Sequence, residues 1–146
     1  MPKAHMSIQL VVHVDSDASA LEQAAANEGR RAARELYRHA LGHIDRSAVD
    51  ASAGVRQRVE QRWMTTLMGR VRVERYRVRT GSRTHRPLDE ALNLHPGEAS
   101  PGVRSLVDCL SERFSTREIA EVLTEVTGTI ISRHVVLRIL HQTIDG

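Results

Sequence analysis

The spacing of apolar side chains divides the chain into short segments of β type and longer segments of α type. Residues 7–14 alternate between apolar and other side chains, which predicts a short N-terminal strand. Residues 18–41 repeat small and apolar side chains at helical spacing, and Gly42 follows them as a stop signal. A long helix is therefore predicted over residues 18–41. Residues 43–55 lack a clear period and are interpreted as a linker with at most one helical turn.

Residues 57–79 are typical of a β-hairpin with its turn at Met68 and Gly69. The alternation in the second arm slips at Glu74 and Arg75, and such a slip indicates a β-bulge. A bulge at this place would turn the arginines of the second arm to the outside. The predicted outward row consists of Arg70, Arg72, Arg75, Arg77 and Arg79. A row of guanidinium groups suits phosphates, because each planar fork can bind two oxygens.

The rest of the chain predicts helices. A short helix is expected in residues 87–94, and Ser100 before Pro101 marks the start of a longer one. Cys109 lies in this apolar helix, so a buried position is expected for its thiol. Together these elements predict an α+β fold with an N-terminal strand and long helix, an Arg-rich β-hairpin, and a C-terminal helical bundle.

The last two predicted helices are organised like a helix-turn-helix. Ser115 and Glu118 form a capping box, Gly128 closes that helix, and Ser132 caps the next one. In a helix-turn-helix, the N-terminal part of the second helix enters the major groove of DNA. The residues expected to contact DNA there are Arg133, His134 and Arg138. Because Gly128 lies one turn later than in the compact motif, an αα-hairpin that only packs is the alternative.

Composition limits the class of protein. The chain has 146 residues, 40% of them apolar and 27% charged, which suits one soluble domain or two small ones. It shows no apolar run long enough for a membrane span and no secretory signal, so a cytoplasmic protein without membrane contact is expected. Its single cysteine excludes an internal disulfide and a cysteine-based zinc ribbon.

The formal charge of +3 is the sum of three segments that differ strongly in charge. Residues 1–55 sum to −1, residues 56–86 to +8 and residues 87–146 to −4, and these boundaries are also the predicted division into segments. The middle segment holds ten arginines against two glutamates. Such crowding indicates an anionic partner, most commonly nucleic acid, while a solvated face of a β-ribbon is the alternative.

Signals for catalysis and for metal binding are weak. His39 and His43 are four residues apart, but a metal site needs a third ligand, so a solvated helix end is preferred. The chain has no glycine-rich phosphate loop and no order of serine, histidine and aspartate that is typical of a hydrolase. No enzyme activity, no cofactor and no metal are therefore predicted.

Three motifs resemble, in the same order, those of insertion-sequence DDE transposases of the ISKra and ISLre kind. Residues 65–79 resemble their T-x-x-G-x-V-x-V-x-R-x-Y ribbon, residues 87–94 their PLDE-x-LGL segment, and residues 115–132 their next helical motif. The resemblance covers roughly residues 57–146. It implies a DNA-binding region that, in this family, precedes a catalytic domain of RNase-H-like fold.

Two departures from the family limit what the resemblance implies. Residues 79–85 lack the cysteine pair that family members often carry after the ribbon, so no zinc is expected. The chain ends at Asp145 and Gly146 with no strand and helix pattern left for a catalytic domain. The resemblance thus implies non-catalytic DNA binding by a truncated transposase or a stand-alone relative, with transposon ends as the DNA and a second copy or a full-length transposase as protein partner.

A protein-interaction or oligomerisation module is the alternative function. In that case the arginine block would meet an acidic partner or the −4 segment of another copy. Aromatic residues make up only 3% of the chain, so a lone domain buries few large side chains and pairing would add burial.

Overall fold

The computed structural model describes residues 3–14, 17–94 and 97–145, with side chains up to residue 142. These residues form a mixed α+β structure with a long helix, a three-stranded antiparallel sheet and a set of C-terminal helices. The predicted fold class is therefore confirmed. None of the described helices is long and apolar enough to cross a membrane. The elements in chain order are α1 (Ala18–Ala51), β1 (Val55–Thr66), β2 (Gly69–Thr80), β3 (Arg83–His85), α2 (Pro87–Ala91), α3 (Pro101–Ser111), α4 (Thr116–Thr127) and α5 (Arg133–Asp145).

Helix α1 is longer than its sequence pattern predicts. The side chain of Asp17 caps its start by accepting hydrogen bonds from two backbone N–H groups of the first turn. The helix continues through Gly42 and ends at Ala51. The predicted linker over residues 43–55 is therefore wrong for most of its length, because the chain stays helical there.

The reason for this continuation is burial against the sheet. Leu41, Asp45 and Val49 are four residues apart and are the buried residues of α1. A glycine inside a helix costs about 1 kcal/mol relative to alanine, while burying one aliphatic side chain contributes about 1.5–3 kcal/mol. Packing of this stripe thus outweighs the stop signal at Gly42.

Residues 7–14 form neither strand nor helix, so the predicted N-terminal strand is wrong. The carbonyl of Gln9 and the N–H of Val11 bond to side chains of α1 rather than to another strand. A strand needs a neighbour that supplies backbone partners, and none of the described strands pairs with this segment. Most of its apolar side chains are exposed, up to 87% at Val14.

Strands β1 and β2 pair over nearly their whole length, and the turn between them consists of Leu67 and Met68. The hydroxyl of Thr66 fixes this turn, because it accepts from the N–H of Met68 (3.1 Å) and donates to the carbonyl of Gly69 (2.7 Å). The predicted hairpin is confirmed, with its turn one residue earlier than expected.

The register of the hairpin has one irregularity, which lies in β1 between Arg56 and Arg58. The bulge predicted at Glu74 and Arg75 is therefore wrong. Because the pairing register shows no irregularity in β2, its successive side chains point to opposite faces of the sheet. The arginines predicted as one outward row are split between these faces, with Arg70 and Arg72 on one and Arg75, Arg77 and Arg79 on the other.

The two faces of the hairpin have different surroundings. The open face carries Arg70, Arg72 and the half-exposed ring of Trp63. The covered face packs under α1 and α2, and Arg75 lies on it with only 8% exposure. The prediction that Arg75 points outward is therefore wrong. The apolar core beneath the covered face consists of Leu41, Met64, Val71, Val73 and Leu88.

Polar contacts of α1 hold the hairpin and the helical bundle together. The carboxylate of Asp45 accepts the N–H of Tyr76 (3.3 Å), at an edge of β2 that the short β3 does not cover. Arg34 donates to a carbonyl in the hairpin turn (3.0 Å). Arg30 donates to two carbonyls at the C-terminal end of α4, where the helix dipole favours a cation.

Helices α3, α4 and α5 enclose a second core. Its fully buried members include Val103, Leu123 and Val136, one from each helix. The edge of β1 joins this bundle to the sheet, because Thr65 pairs with Ala99 just before α3. The two cores are thus linked through β1 as well as through α1.

Most helix boundaries in this bundle follow the predicted caps. Ser100 and Ser115 each accept a backbone N–H of the first turn, and Gly128 ends α4 with a left-handed φ of 70°. Ser132 accepts the N–H of Val135 (3.4 Å) at the start of α5. Cys109, by contrast, is exposed rather than buried, because it lies outside the buried stripe of α3.

Substitution of Asp45 tests whether its contact with β2 stabilises the fold. Burial raises the pKa of this carboxyl above its ordinary value, because desolvation disfavours the charged form. Asp45→Asn keeps an oxygen that accepts from Tyr76, so we expect its unfolding free energy at pH 7 to equal or exceed that of the parent. Asp45→Ala leaves the N–H without this partner and should lose about 1–2 kcal/mol in urea unfolding. Equal losses in both variants would contradict this role.

Candidate nucleic-acid interface

The connection between α4 and α5 is fixed by threonine hydroxyls. Thr124 accepts the N–H of Ile131 (3.0 Å), and Thr127 accepts the N–H of Thr129 (3.2 Å). Both threonines also donate to carbonyls of the preceding turn of α4. With Gly128 in the left-handed region, these contacts determine the direction in which α5 leaves the turn.

Helix α5 buries one side and exposes the other. Val136 and Ile139 lie in the bundle core at 0% and 2% exposure. The opposite side, named the α5 outer face, consists of Arg133, His134, Leu137, Arg138 and His141. The predicted DNA-contacting residues of α5 thus lie together. Leu137 and His141 share this face but are not among the residues predicted from the sequence. Helical spacing could have added them, because residues three, four and seven positions apart share a face.

The α5 outer face is cationic over the described side chains of the helix. Within residues 133–142, the described side chains of α5, there is no aspartate or glutamate. Neither Arg133 nor Arg138 has an ion-pair or hydrogen-bond partner in the described part of the chain. The acidic residues of α4 form a separate exposed stripe, on the side opposite its buried residues, made of Glu118, Glu121 and Glu125.

On the open face of the hairpin, Arg70 and Arg72 are exposed. The guanidinium of Arg70 lies over the ring of Trp63, 4.9 Å from its centroid, and 3.3 Å from the carboxylate of Glu98. Arg72 lies directly opposite Trp63 on the neighbouring strand and has no ion pair among the residues described. This surface combines cationic groups with an aromatic ring, a combination used in nucleic-acid binding.

On the covered face, the arginines are occupied by carboxylates. Arg75 lies 2.8 Å from Asp89, and Arg77 lies 3.7 Å from Glu60. Arg79 is exposed at the end of β2 and donates to the carbonyl of Gly81. The five predicted phosphate contacts thus differ in exposure, because Arg70, Arg72 and Arg79 are exposed while Arg75 and Arg77 are paired with carboxylates on the covered face.

The hairpin and α5 approach each other at Gly97. Arg62 of β1 donates to the carbonyl of Gly97, and a methyl group on that glycine would lie 2.6 Å from the side chain of Gln142. Gln142 borders the same shallow cavity as His141. The C-terminal part of α5 thus adjoins the edge of the arginine-rich ribbon.

Glu60 is the electrostatic centre of the covered face. Its carboxylate lies 2.7 Å from Arg86 and 3.3 Å from Arg58. The hydrogen bond from Arg86 is the main cause that lowers the pKa of Glu60 to about 2, while partial burial opposes the shift. Glu60 therefore remains charged at any physiological pH and holds these arginines on the covered face.

The two histidines of α1 lie close together, but no third potential metal ligand joins them in the described part of the chain. The Nε2 atoms of His39 and His43 are 3.3 Å apart, and a guanidinium nitrogen of Arg46 lies 3.2 Å from Nδ1 of His43. Among the described residues, no group of three potential metal ligands is close enough to hold an ion.

Comparison with known proteins shows a partial similarity. A "UPF0236 protein in vanSb 3'region" of Streptococcus gallolyticus is 34% identical to this chain over 91 residues. The match covers 61% of this chain but only 18% of the relative, so the chain spans less than a fifth of that protein's length. No family model matches the sequence.

The depressed pKa of Glu60 predicts a specific loss of stability in acid. The folded-state pKa of about 2 lies below the ordinary value of 4.5, so this carboxylate stabilises the fold above pH 4.5. That contribution should decline as the pH falls from 4.5 towards 2. In urea unfolding, we expect the difference between the parent and Glu60→Gln to be constant above about pH 5 and to shrink below it. A difference that does not change with pH would contradict the assignment.

Proposed function

We propose that this chain binds duplex DNA without catalysing a reaction, and that α5 is the helix that enters the major groove. The observation that carries the proposal is the α5 outer face, which is exposed, cationic and unpaired within the described structure. It lies on the second helix of a capped helix pair, the position of the recognition helix in helix-turn-helix proteins. Arginine on such a helix binds guanine edges or phosphates through two parallel hydrogen bonds.

The exposed arginines of the hairpin are proposed to hold the phosphate backbone. Arg70 and Arg72 on the open face and Arg79 at the end of β2 can meet an external anion. Arg75 and Arg77 are left out of this role because they lie on the covered face, paired with carboxylates that are themselves less than a fifth exposed. Arg70 also pairs with Glu98, but both side chains of that pair are exposed to solvent. Phosphate contacts position a protein on DNA, whereas groove contacts supply sequence preference. The hairpin would therefore contribute affinity and α5 specificity.

Partial similarity to the UPF0236 protein and the motif resemblance to insertion-sequence transposases support a role in a mobile element. We propose that the chain corresponds to the N-terminal DNA-binding region of such a transposase and acts at transposon ends. Catalysis is not part of the proposal, because the motif resemblance concerns only the DNA-binding region of such transposases. A second copy or a full-length transposase would be the protein partner.

Exposed apolar residues favour a second candidate function, which is self-association. Leu10 and Val14 in the N-terminal segment are 62% and 87% exposed, and this segment has no strand partner in the described chain. An oligomerisation module would bury them against another chain. Sedimentation without DNA separates the two functions, because this alternative requires association in the absence of nucleic acid.

Alanine substitution of the α5 arginines tests the groove contact. Arg133→Ala and Arg138→Ala should each weaken binding to DNA that flanks the chain's own gene by about 1–3 kcal/mol. The matched control is Arg117→Ala, an exposed arginine on α4 that lies outside the α5 outer face. Filter binding at constant salt measures the effect. Equal losses in all three variants would contradict a specific role for α5, and no binding of the parent at low salt would overturn DNA binding itself.

The hairpin contacts predict a change in salt dependence. The double variant Arg70→Ala, Arg72→Ala should reduce the slope of log K against log salt by about 2, since each phosphate contact contributes about 0.9. The control is Arg83→Ala, a 72%-exposed side chain on β3 that pairs with Glu90. An unchanged slope in the double variant would exclude Arg70 and Arg72 from phosphate contact.

A further inference from the structure

A cleft of about 500 Å³ opens beside the covered face of the hairpin and α2. Its volume is in the range of small-ligand sites in proteins. Three arginines line it, together with two carboxylates and the only tryptophan in the chain. These residues are Arg62, Arg75, Arg86, Asp89, Glu98 and Trp63.

Guanidinium groups outnumber carboxylates around this cleft. Asp89 lies 3.2 Å from Arg62 and 2.8 Å from Arg75. Glu60 is shared by Arg58, Arg77 and Arg86. Among the residues that line the cleft, three arginines face two carboxylates, Asp89 and Glu98, which leaves a charge of +1. Positive charge without compensation is costly where water access is restricted, so an anion in the cleft would be bound favourably.

Arg75 gives the cleft an unsatisfied donor. Its side chain is 9% exposed, and its Nη1 is buried without a hydrogen-bond partner in the described chain. Its Nε is within ion-pair distance of Asp89, but the orientation does not make a hydrogen bond. A buried donor that lacks a partner costs about 1–3 kcal/mol, and an oxyanion that reaches Nη1 would remove this cost.

A phosphate monoester fits this arrangement better than a phosphodiester. A monoester carries close to two negative charges at neutral pH and three terminal oxygens, whereas a diester carries one charge and two free oxygens. Guanidinium groups bind such oxygens in pairs because their N–H donors form a planar fork. Donors for these oxygens come from Nη1 of Arg75 and from Nη1 of Arg86, whose other two nitrogens contact Glu60. Arg62 contributes charge, because its own donors already contact Asp89 and the carbonyl of Gly97.

We propose that the arginine cleft binds a phosphate monoester, the terminal phosphate of a nucleotide or of a nucleic-acid strand, with Arg75 as its central ligand and Arg62 and Arg86 beside it. This site differs from the α5 outer face and does not require duplex binding. Variants of Arg133 and Arg138 should leave it intact, so failure of the DNA proposal and failure of this one are distinguishable.

Trp63 is the only tryptophan and lines the cleft, so its fluorescence reports on binding there. Because its ring also contacts Arg70 of the open face, the difference between two strands of the same sequence is the signal that belongs to the cleft. The full chain in phosphate-free buffer is titrated with a short single-stranded oligonucleotide that carries a 5′-phosphate, and with the same oligonucleotide ending in 5′-hydroxyl. We expect the phosphorylated strand to change Trp63 fluorescence at a concentration about tenfold lower, the gain from one strong charge-assisted contact. Equal affinity of both strands overturns the proposal.

Adenosine 5′-monophosphate and adenosine form a second pair of probes that identifies the source of the phosphate. Binding of the mononucleotide as tight as that of the strand indicates a free nucleotide as ligand. Tighter binding of the phosphorylated strand indicates a strand end. Both results support the site, while a failure of both phosphorylated probes to exceed their unphosphorylated partners overturns it.

Two variants connect the signal to the cleft. Arg75→Lys keeps the positive charge but loses the planar guanidinium group that binds two oxygens at once. Arg86→Gln is the second variant in case Arg75→Lys does not fold, because the side chain of Arg86 is 37% exposed and the protein should tolerate its replacement. Each folded variant should lose about tenfold in affinity for the phosphorylated strand. Arg83→Gln is the matched control, because this exposed arginine of β3 does not line the cleft. Equal losses in Arg83→Gln and Arg86→Gln would overturn the proposal.

Discussion

The continuity of α1 is the constraint on which the other contacts of this structure depend. A two-stranded hairpin is at best marginally stable by itself, and the third strand here pairs with only three residues of β2. Because α1 does not end at Gly42, it covers the apolar face of the hairpin with Leu41 and supplies Asp45 to the free edge of β2. Its earlier turns bring Arg30 to the end of α4. One helix thereby positions the sheet and the bundle together.

This arrangement determines how the arginine block is divided. The covered face must be packed under α1 and α2, and its arginines remain there only because Glu60 and Asp89 accompany them. A guanidinium group that is removed from water without a counter-charge is costly, so these ion pairs are a condition of burial. The same packing leaves Arg70 and Arg72 exposed on the other face. The charge of +8 therefore produces two distinct surfaces, an open one and a recessed cleft.

Several features could be predicted from the sequence because they depend on neighbouring residues. Ser100 and Ser115 start helices through hydrogen bonds to the first turn, and Gly128 ends α4 through a backbone conformation that favours glycine. The grouping of Arg133 with Arg138 follows from helical spacing once Val136 is placed in the core. The helix caps and this grouping depend on residues that are close in sequence, so they could be predicted without knowledge of any distant contact.

The sequence by itself determined the α+β fold class, the hairpin, the helix caps and the cationic residues of α5. Tertiary structure alone decided that residues 7–14 have no strand partner among the described strands, that α1 passes through Gly42, and that Arg75 lies inside. It also decided the position of the bulge, between Arg56 and Arg58 rather than in β2. The physical reason is that each outcome depends on a partner distant in sequence. A strand needs another strand, a glycine in a helix needs packing to offset its cost, and a buried guanidinium needs a carboxylate such as Asp89.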